Sequence, residues 1–341
     1  MQSFSCLSAK NGSDLFAVQE ATPILLPLAR YRLWFKAGHC VRLPERAGST
    51  WRGLLGHALR RAVCVTGQDR CQDCLLLHAC AHAYIFETPP PPGAGKMRKY
   101  TSVPHPFVLD PPARSPHLQA GEPYTLGLTL IGRGNHHLPY IVHAFSRGAR
   151  NGVGRGRAPM ILTHVEQEIA PGTGQWTRIH EAEGPLEAIP PQPPRMPPPP
   201  GHRVTLHLDT PLRIKREGRA LGAADLGFGD LFSNLLRRVS LLSHFHTDTP
   251  LETDFAGLTR AARQWPGMEA KLQWQDWERY SSRQGRHVPM SGLTGRIRLA
   301  PEGLAPFWPY LWLAPFLHLG AGTSMGQGAC RMDRAKIHPE D

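Results

Sequence analysis

The order strand, helix, strand, strand, helix, strand can be read twice along these 341 residues, with a proline-rich segment between the two readings. That recurrence predicts an α+β chain of two tandem ferredoxin-like (RRM-like) domains, residues 1–170 and 202–341, joined by a linker over 171–201. A third observation, four clustered cysteines after the first helix, predicts a metal-binding insertion over residues 64–86 of the first domain. The chain is long enough for two cores. Its formal net charge of +12, carried mostly by arginine, favours a polyanionic partner.

Residues 28–36 alternate as a strand, with Tyr31, Leu33 and Phe35 on one face and Arg32, Trp34 and Lys36 on the other. The second face combines cations with an aromatic ring, which suits a single-stranded nucleic acid and equally a solvated edge. Residues 49–63 have a Ser/Thr start and a helical period. Trp51, Leu54, Leu55, Ala58, Leu59 and Ala62 share the apolar face. His57 falls on the polar side with Gly53, Arg60 and Arg61, where it is either a solvated histidine or an imidazole flanked by two fixed cations.

The cysteines Cys64, Cys71, Cys74 and Cys80 follow, at intervals of six, two and five residues. Four thiolates fit a closed tetrahedral zinc site; the same spacing resembles the iron-sulfur loop of endonuclease III type DNA glycosylases, so a [4Fe-4S] cluster is the alternative. Either centre is structural, because four thiolates leave no open position for catalysis. Pro89 to Gly93 is a stiff loop. Residues 106–110 and 124–131 read as strands, 138–150 as a helix and 159–167 as a strand. Between the last two, residues 150–157 interleave glycine with arginine, including Arg155 and Arg157, and fit phosphate contact or a simple basic turn.

Residues 189–201 are dominated by proline and read as the linker. Then come a strand (202–209), a helix (228–245) with Phe232, Leu235, Leu236, Val239 and Leu242 inward and Asn234, Arg237 and Arg238 outward, and a hairpin-like pair (272–280, 292–299). A proline-interrupted helical run (304–317), a glycine-rich loop and a last strand (328–337) complete the order. Gly320, Gly322, Gly326 and Gly328, with His318, Thr323 and Ser324, make a loop whose amides could cradle phosphate. The loop lacks the Lys-Ser/Thr ending of a P-loop and runs from helix to strand, which disfavours mononucleotide binding.

The succession of residues 277–284 (with Arg283), residues 290–298, the helical run and the glycine loop resembles the C-terminal domain of RAMP-superfamily endoribonucleases that process CRISPR repeats. The likeness is close from Trp277 onward and looser in the N-terminal half. It implies two ferredoxin-like domains and cleavage of CRISPR repeat RNA without a catalytic metal. Attack by the 2′-hydroxyl would leave a 2′,3′-cyclic phosphate, with His57 in the position of the family's common catalytic histidine and Lys36, Arg60 and Arg61 stabilising charge. His39, His78, His287 and His318 are the other candidate bases. The alternative within the superfamily is a non-catalytic subunit that binds guide RNA beside other CRISPR effector subunits. A DNA-repair enzyme is disfavoured: the chain has neither a helix-hairpin-helix nor a helical bias. No signal-like leader or membrane-spanning run is read, so a cytoplasmic protein without membrane partners is expected.

Overall fold

The structure, a computed structural model, describes residues 24–93, 102–114, 117–281 and 285–333. It is α+β with antiparallel sheets. The first half contains β1 (Leu28–Ala37), β2 (Val41–Arg42), α1 (Gly48–Val63), β3 (Phe107–Asp110), β4 (His117–Leu118), β5 (Pro123–Ile131), α2 (Leu138–Arg150), β6 (Met160–Glu168) and β7 (Trp176–Glu181). Its sheet runs β3-β5-β1-β6-β7, and β2 and β4 form a small separate ribbon. Trp176–Glu181 falls inside the stretch read as linker and pairs with β6 as the edge strand.

The second half contains β8 (Val204–Leu212), β9 (Lys215–Arg216), β10 (Arg219–Ala220), α3 (Phe228–His246), α4 (Phe255–Gln264), β11 (Met268–Gln275), β12 (Glu278–Ser281), β13 (Arg286–Pro289), β14 (Gly292–Leu299), α5 (Trp308–Leu311), α6 (Ala314–Leu317) and β15 (Cys330–Met332). Its sheet runs β11-β14-β8-β15. The hairpin expected from 272–280 and 292–299 is nested: β11 pairs with β14, and β12 with β13 fills the space between them. Pro309 and Pro315 each stand in the first turn of a short helix, which splits the run read as one helix. The last strand is shorter than expected, and residues 334–341 lie outside the described residues. Among the described residues, no helix is long and apolar enough to cross a membrane.

Burial explains the arrangement. Tyr31, Leu33 and Phe35 are buried beneath α1, where Phe35 packs on Trp51 at 4.9 Å between ring centroids. The Tyr31 hydroxyl donates to Asn135 Oδ1 at 2.9 Å, and burial pushes its pKa up. Trp51, Leu55 and Leu59 form the inner stripe of α1; Leu54 and Ala58 instead meet Gly148 of α2, and Ala62 is exposed. No side chain caps α1: it starts one residue before Ser49, after Ala47. The second core takes in Leu26, Leu28, Val108 and Ile131 from the first half, so one apolar cluster spans the two sheets.

The halves also meet backbone to backbone. A Cβ on Gly48 would lie 1.8 Å from Met325 O, and one on Gly326 would lie 3.0 Å from Leu109 O and 2.9 Å from Pro111 Cδ. Gly326 also has φ +76°, a region that side-chain-bearing residues rarely enter. Buried histidines reinforce the seam. His246 Nε2 donates to Pro104 O at 2.7 Å and its Nδ1 meets the Tyr84 hydroxyl at 3.0 Å, and burial lowers its pKa to about 4, which keeps the ring neutral.

Two outcomes follow from this seam. Gly48→Ala should cost roughly 1–3 kcal/mol of stability, the usual effect of forcing extra volume into a packed contact, read as a lower midpoint in thermal or urea unfolding. The lowered pKa of His246 means that the unfolded chain binds its proton first as pH falls. Its contribution is therefore fully present above about pH 6.5 and lost progressively from there towards pH 4, of order 1–2 kcal/mol by pH 5. Urea midpoints from pH 8 to 5 should decline over that window, and His246→Gln should flatten the decline.

Candidate functional site

The outer faces of α1 and α2 border a cleft of about 1890 Å³, closed on one side by the segment following α1 and on the other by Trp277, Arg279 and His287 of the β12–β13 region. Nine arginines line it against three carboxylates, with four histidines, so the cleft is strongly positive. Such a concentration of guanidinium groups suits a phosphate backbone.

His57 is exposed in this cleft, and the space beside Gly53 is open: a Cβ there would meet nothing within 4 Å. Arg60, Arg61, Arg155 and Arg157 line the same cleft, so the basic turn after α2 and the polar side of α1 come together although nearly a hundred residues separate them. The Arg60 guanidinium donates to the carbonyls of Gln68 and Asp69, which ties the cysteine segment to α1.

Arg52, one turn before Gly56, is held more tightly. Its Nε donates to Ser324 Oγ at 3.2 Å, its Nη2 to His105 Nε2 at 3.1 Å, and its guanidinium lies 4.2 Å from the Phe86 ring centre. Because arginine can only donate, His105 Nε2 must accept; the ring is neutral, with its proton on Nδ1 directed to Thr88 Oγ1. Burial lowers the His105 pKa to about 3, and the Arg52 charge adds to that shift. Arg52 thus presents a fixed cation at the junction of the halves.

Other expected site residues are elsewhere. Lys36 projects from the face of β1 opposite the one covered by α1, so sheet and helix separate it from His57 and it cannot share a reaction centre with it. Arg32 and Trp34 occupy that far face as well: Arg32 stacks over Trp176 at 3.8 Å, and Trp34 donates to Glu166 Oε2 at 2.8 Å while stacking on His164. Arg237 is exposed on α3 but does not line the cleft. Arg238 was read as outward. It is instead held inside, its Nε donating to Leu317 O at 2.9 Å, with burial lowering its pKa to about 10. Arg283 lies outside the described residues.

The glycine loop is not an open cradle. The Gly320 amide donates to Asn234 Oδ1, Gly326 to Thr323 O and Gly328 to Pro211 O, while Thr323 and Ser324 are buried and Gly322 Cα faces Gln327. His318 is 2% exposed, with Nε2 3.9 Å from Asp110 Oδ1, and burial holds its pKa below the ordinary range. The glycines are needed so that this loop can pass between the halves, and the expectation of direct phosphate contact from these residues is replaced by a structural role.

Cys64, Cys71, Cys74 and Cys80 line a second space, of about 390 Å³, on the far side of the segment that walls the cleft. Sequence reasoning missed Arg46, Arg52, His82, His143 and Arg147, all of which line the cleft. His143 and Arg147 carried a usable signal: at i and i+4 on the exposed side of α2, they form one polar stripe. His82 carried none, since its place depends on the irregular turn over Ala83–Glu87.

Residues 206–330 match the model of the CRISPR-associated endoribonuclease Cas6 family, and residues 26–193 match a family model described as an N-terminal domain. No curated protein matches the sequence. Among solved structures, the chain is similar to a Cas6 product complex at 17% identity and TM-score 0.52, covering 90% of this chain and 99% of that one. It is similar also to a chain of a partial Cas6-RT-Cas1–Cas2 complex at 11% identity and TM-score 0.53, covering 93% of this chain and 47% of that one. At such identities the structural likenesses carry the fold alone, and the likeness to the Cas6 family rests on residues 206–330, within the second half of the chain.

Proposed function

We propose that the chain cuts CRISPR repeat RNA in the cleft bordered by α1 and α2, by attack of the 2′-hydroxyl on the adjacent phosphorus. The P–O5′ bond breaks, leaving a 2′,3′-cyclic phosphate on one product and a 5′-hydroxyl on the other. The observation that carries this reading is the placement of His57 in a cleft with nine arginines, beside an open strip over Gly53 where a ribose-phosphate backbone can approach the helix. In this reading His57 removes the 2′-hydroxyl proton, and Arg60 and Arg61 stabilise the phosphorane charge. Arg155, Arg157 and Arg147 carry the flanking phosphates. His143 and His287 line the same cleft and are the groups available to protonate the 5′-oxygen. Lys36 has no part.

The sheet orders β3-β5-β1-β6 and β11-β14-β8-β15 support the further reading that each half is a ferredoxin-like domain. Because β7 belongs to the first sheet, the connection between them narrows to the proline-rich stretch after Glu181. The four cysteines are read as ligands of a structural metal centre, zinc or [4Fe-4S], with no role in the bond-breaking step. The RNA product is the partner named for one similar structure, and Cas1–Cas2 for another; repeat RNA and other CRISPR proteins are accordingly the partners proposed here.

His57→Ala should lower single-turnover cleavage by roughly 10²–10⁴ while leaving RNA affinity within a few fold. Lys36→Ala should cleave normally. A repeat with 2′-deoxyribose before the cut should bind and remain whole, in EDTA or without it, after brief treatment that leaves the structural centre filled. Cleavage of that deoxy substrate at the ordinary rate would overturn the mechanism, and tight binding of all-ribose repeat with no cleavage would favour a guide-binding subunit. Arg155→Ala and Arg157→Ala should each weaken binding across sequences and reduce the slope of log affinity against log salt by about one, as for a lost phosphate contact.

A further inference from the structure

The segment after α1 brings four thiols around one space without bringing them to a point. Cys64 directly follows the last residue of α1; Cys71 opens a short 3₁₀ turn that Cys74 closes, with the Cys74 amide donating to Cys71 O at 3.1 Å. Cys80 precedes the turn that returns the chain to the first core. All four are only partly exposed and unpaired in disulfides, and all four line the same space of about 390 Å³, together with Val63, Leu76, Leu77 and Tyr140.

Sulfur spacing separates the two candidate centres. Zinc bound at about 2.3 Å by four thiolates draws every pair of sulfurs to roughly 3.8 Å. Among the described residues, the set of three or more potential ligands whose donor atoms all lie within 4.8 Å of one another is Cys71, His82 and Glu87, and no three of the four thiol sulfurs meet that spacing. In a cubane cluster each cysteine sulfur ends on a different iron, so the sulfurs ring a volume and stay apart. Charge does not separate the two centres, since four thiolates leave the same net negative charge around zinc(II) as around an oxidised cubane; in either case Arg60 lines the space while its guanidinium holds the Gln68 and Asp69 carbonyls of the intervening loop.

We propose that Cys64, Cys71, Cys74 and Cys80 hold a [4Fe-4S] cluster and not zinc, and that this cluster fixes the segment after α1 that walls the cleft and that Arg60 ties to the helix. The proposal rests on reading the four cysteines as ligands and is independent of the nuclease mechanism. It also gives the six-two-five spacing a reason: the first interval spans the loop that Arg60 grips, and the second supplies two sulfurs from one turn.

The test uses the full chain purified without oxygen, and separate samples of metal-free chain refilled with ferrous iron plus sulfide or with zinc. The expected result is about four iron and four acid-labile sulfide per chain, with a broad visible absorption bleached by dithionite. Cys64→Ser and Cys74→Ser, checked for native circular dichroism, should lose the chromophore, and His82→Ala should keep it. About one zinc per chain, with no cluster formed on refilling, would overturn the cluster while leaving the four-cysteine site. Neither metal bound by a folded chain would overturn the ligand reading as well. A centre kept in Cys74→Ser and lost in His82→Ala would place it on Cys71, His82 and Glu87 instead.

Discussion

The contact on which this structure depends is a meeting of main chains with no side chain between them. Gly48 at the start of α1 lies against the Met325 carbonyl, and Gly326 lies against Leu109 of the opposite sheet. Backbones approach this closely only where Cβ is missing. The start of α1, and with it the register of the helix that bears His57, is therefore set by a loop more than 270 residues further along the chain. Arg52 and Ser324 add a directional bond at the same place.

That seam explains how a chain with so many cations places them on one side. The arginines of the cleft come from α1 and the segments on either side of it, from α2 and the turn after it, and from β12. Inside the seam, charge is kept low in a different way. His105 is neutral because Arg52 can only donate to it, so one ring nitrogen must accept, and in both His105 and His246 burial penalises the second proton. The fixed positive charge at the seam is that of Arg52 and Arg238, and the histidines beside them stay neutral.

Much of this was legible in the sequence. The alternation of residues 28–36 gave the inward triad of β1, and the helical period gave the exposed side of α1 and thus His57. What failed did so for tertiary reasons. A glycine-rich loop reads the same whether its amides face solvent or Asn234 and Pro211, and only the fold decides. Lys36 alternates correctly with Arg32 and Trp34, and that same alternation puts it on the face away from α1, so its pairing with His57 was at odds with the strand pattern itself. Arg238 follows the polar side of α3, but Leu317 O draws it inward. α4 went unread because its period is short and a single residue, Ala262, is buried. The cleft itself has no linear signature, since its walls come from segments far apart in the chain.

The proline-rich connection is strapped down at several points, beginning with Ile189, whose amide and carbonyl both bond the Gln167 side chain. Gln192 pairs with Leu28 at the start of β1, and the Trp308 indole donates to Pro197 O at 2.8 Å beside α5. A chain already restricted by its prolines and then tied to each half has few conformations left to lose. The two halves therefore hold the backbone of the cleft walls in place, and what a polyanion entering it must still order is chiefly the arginine side chains.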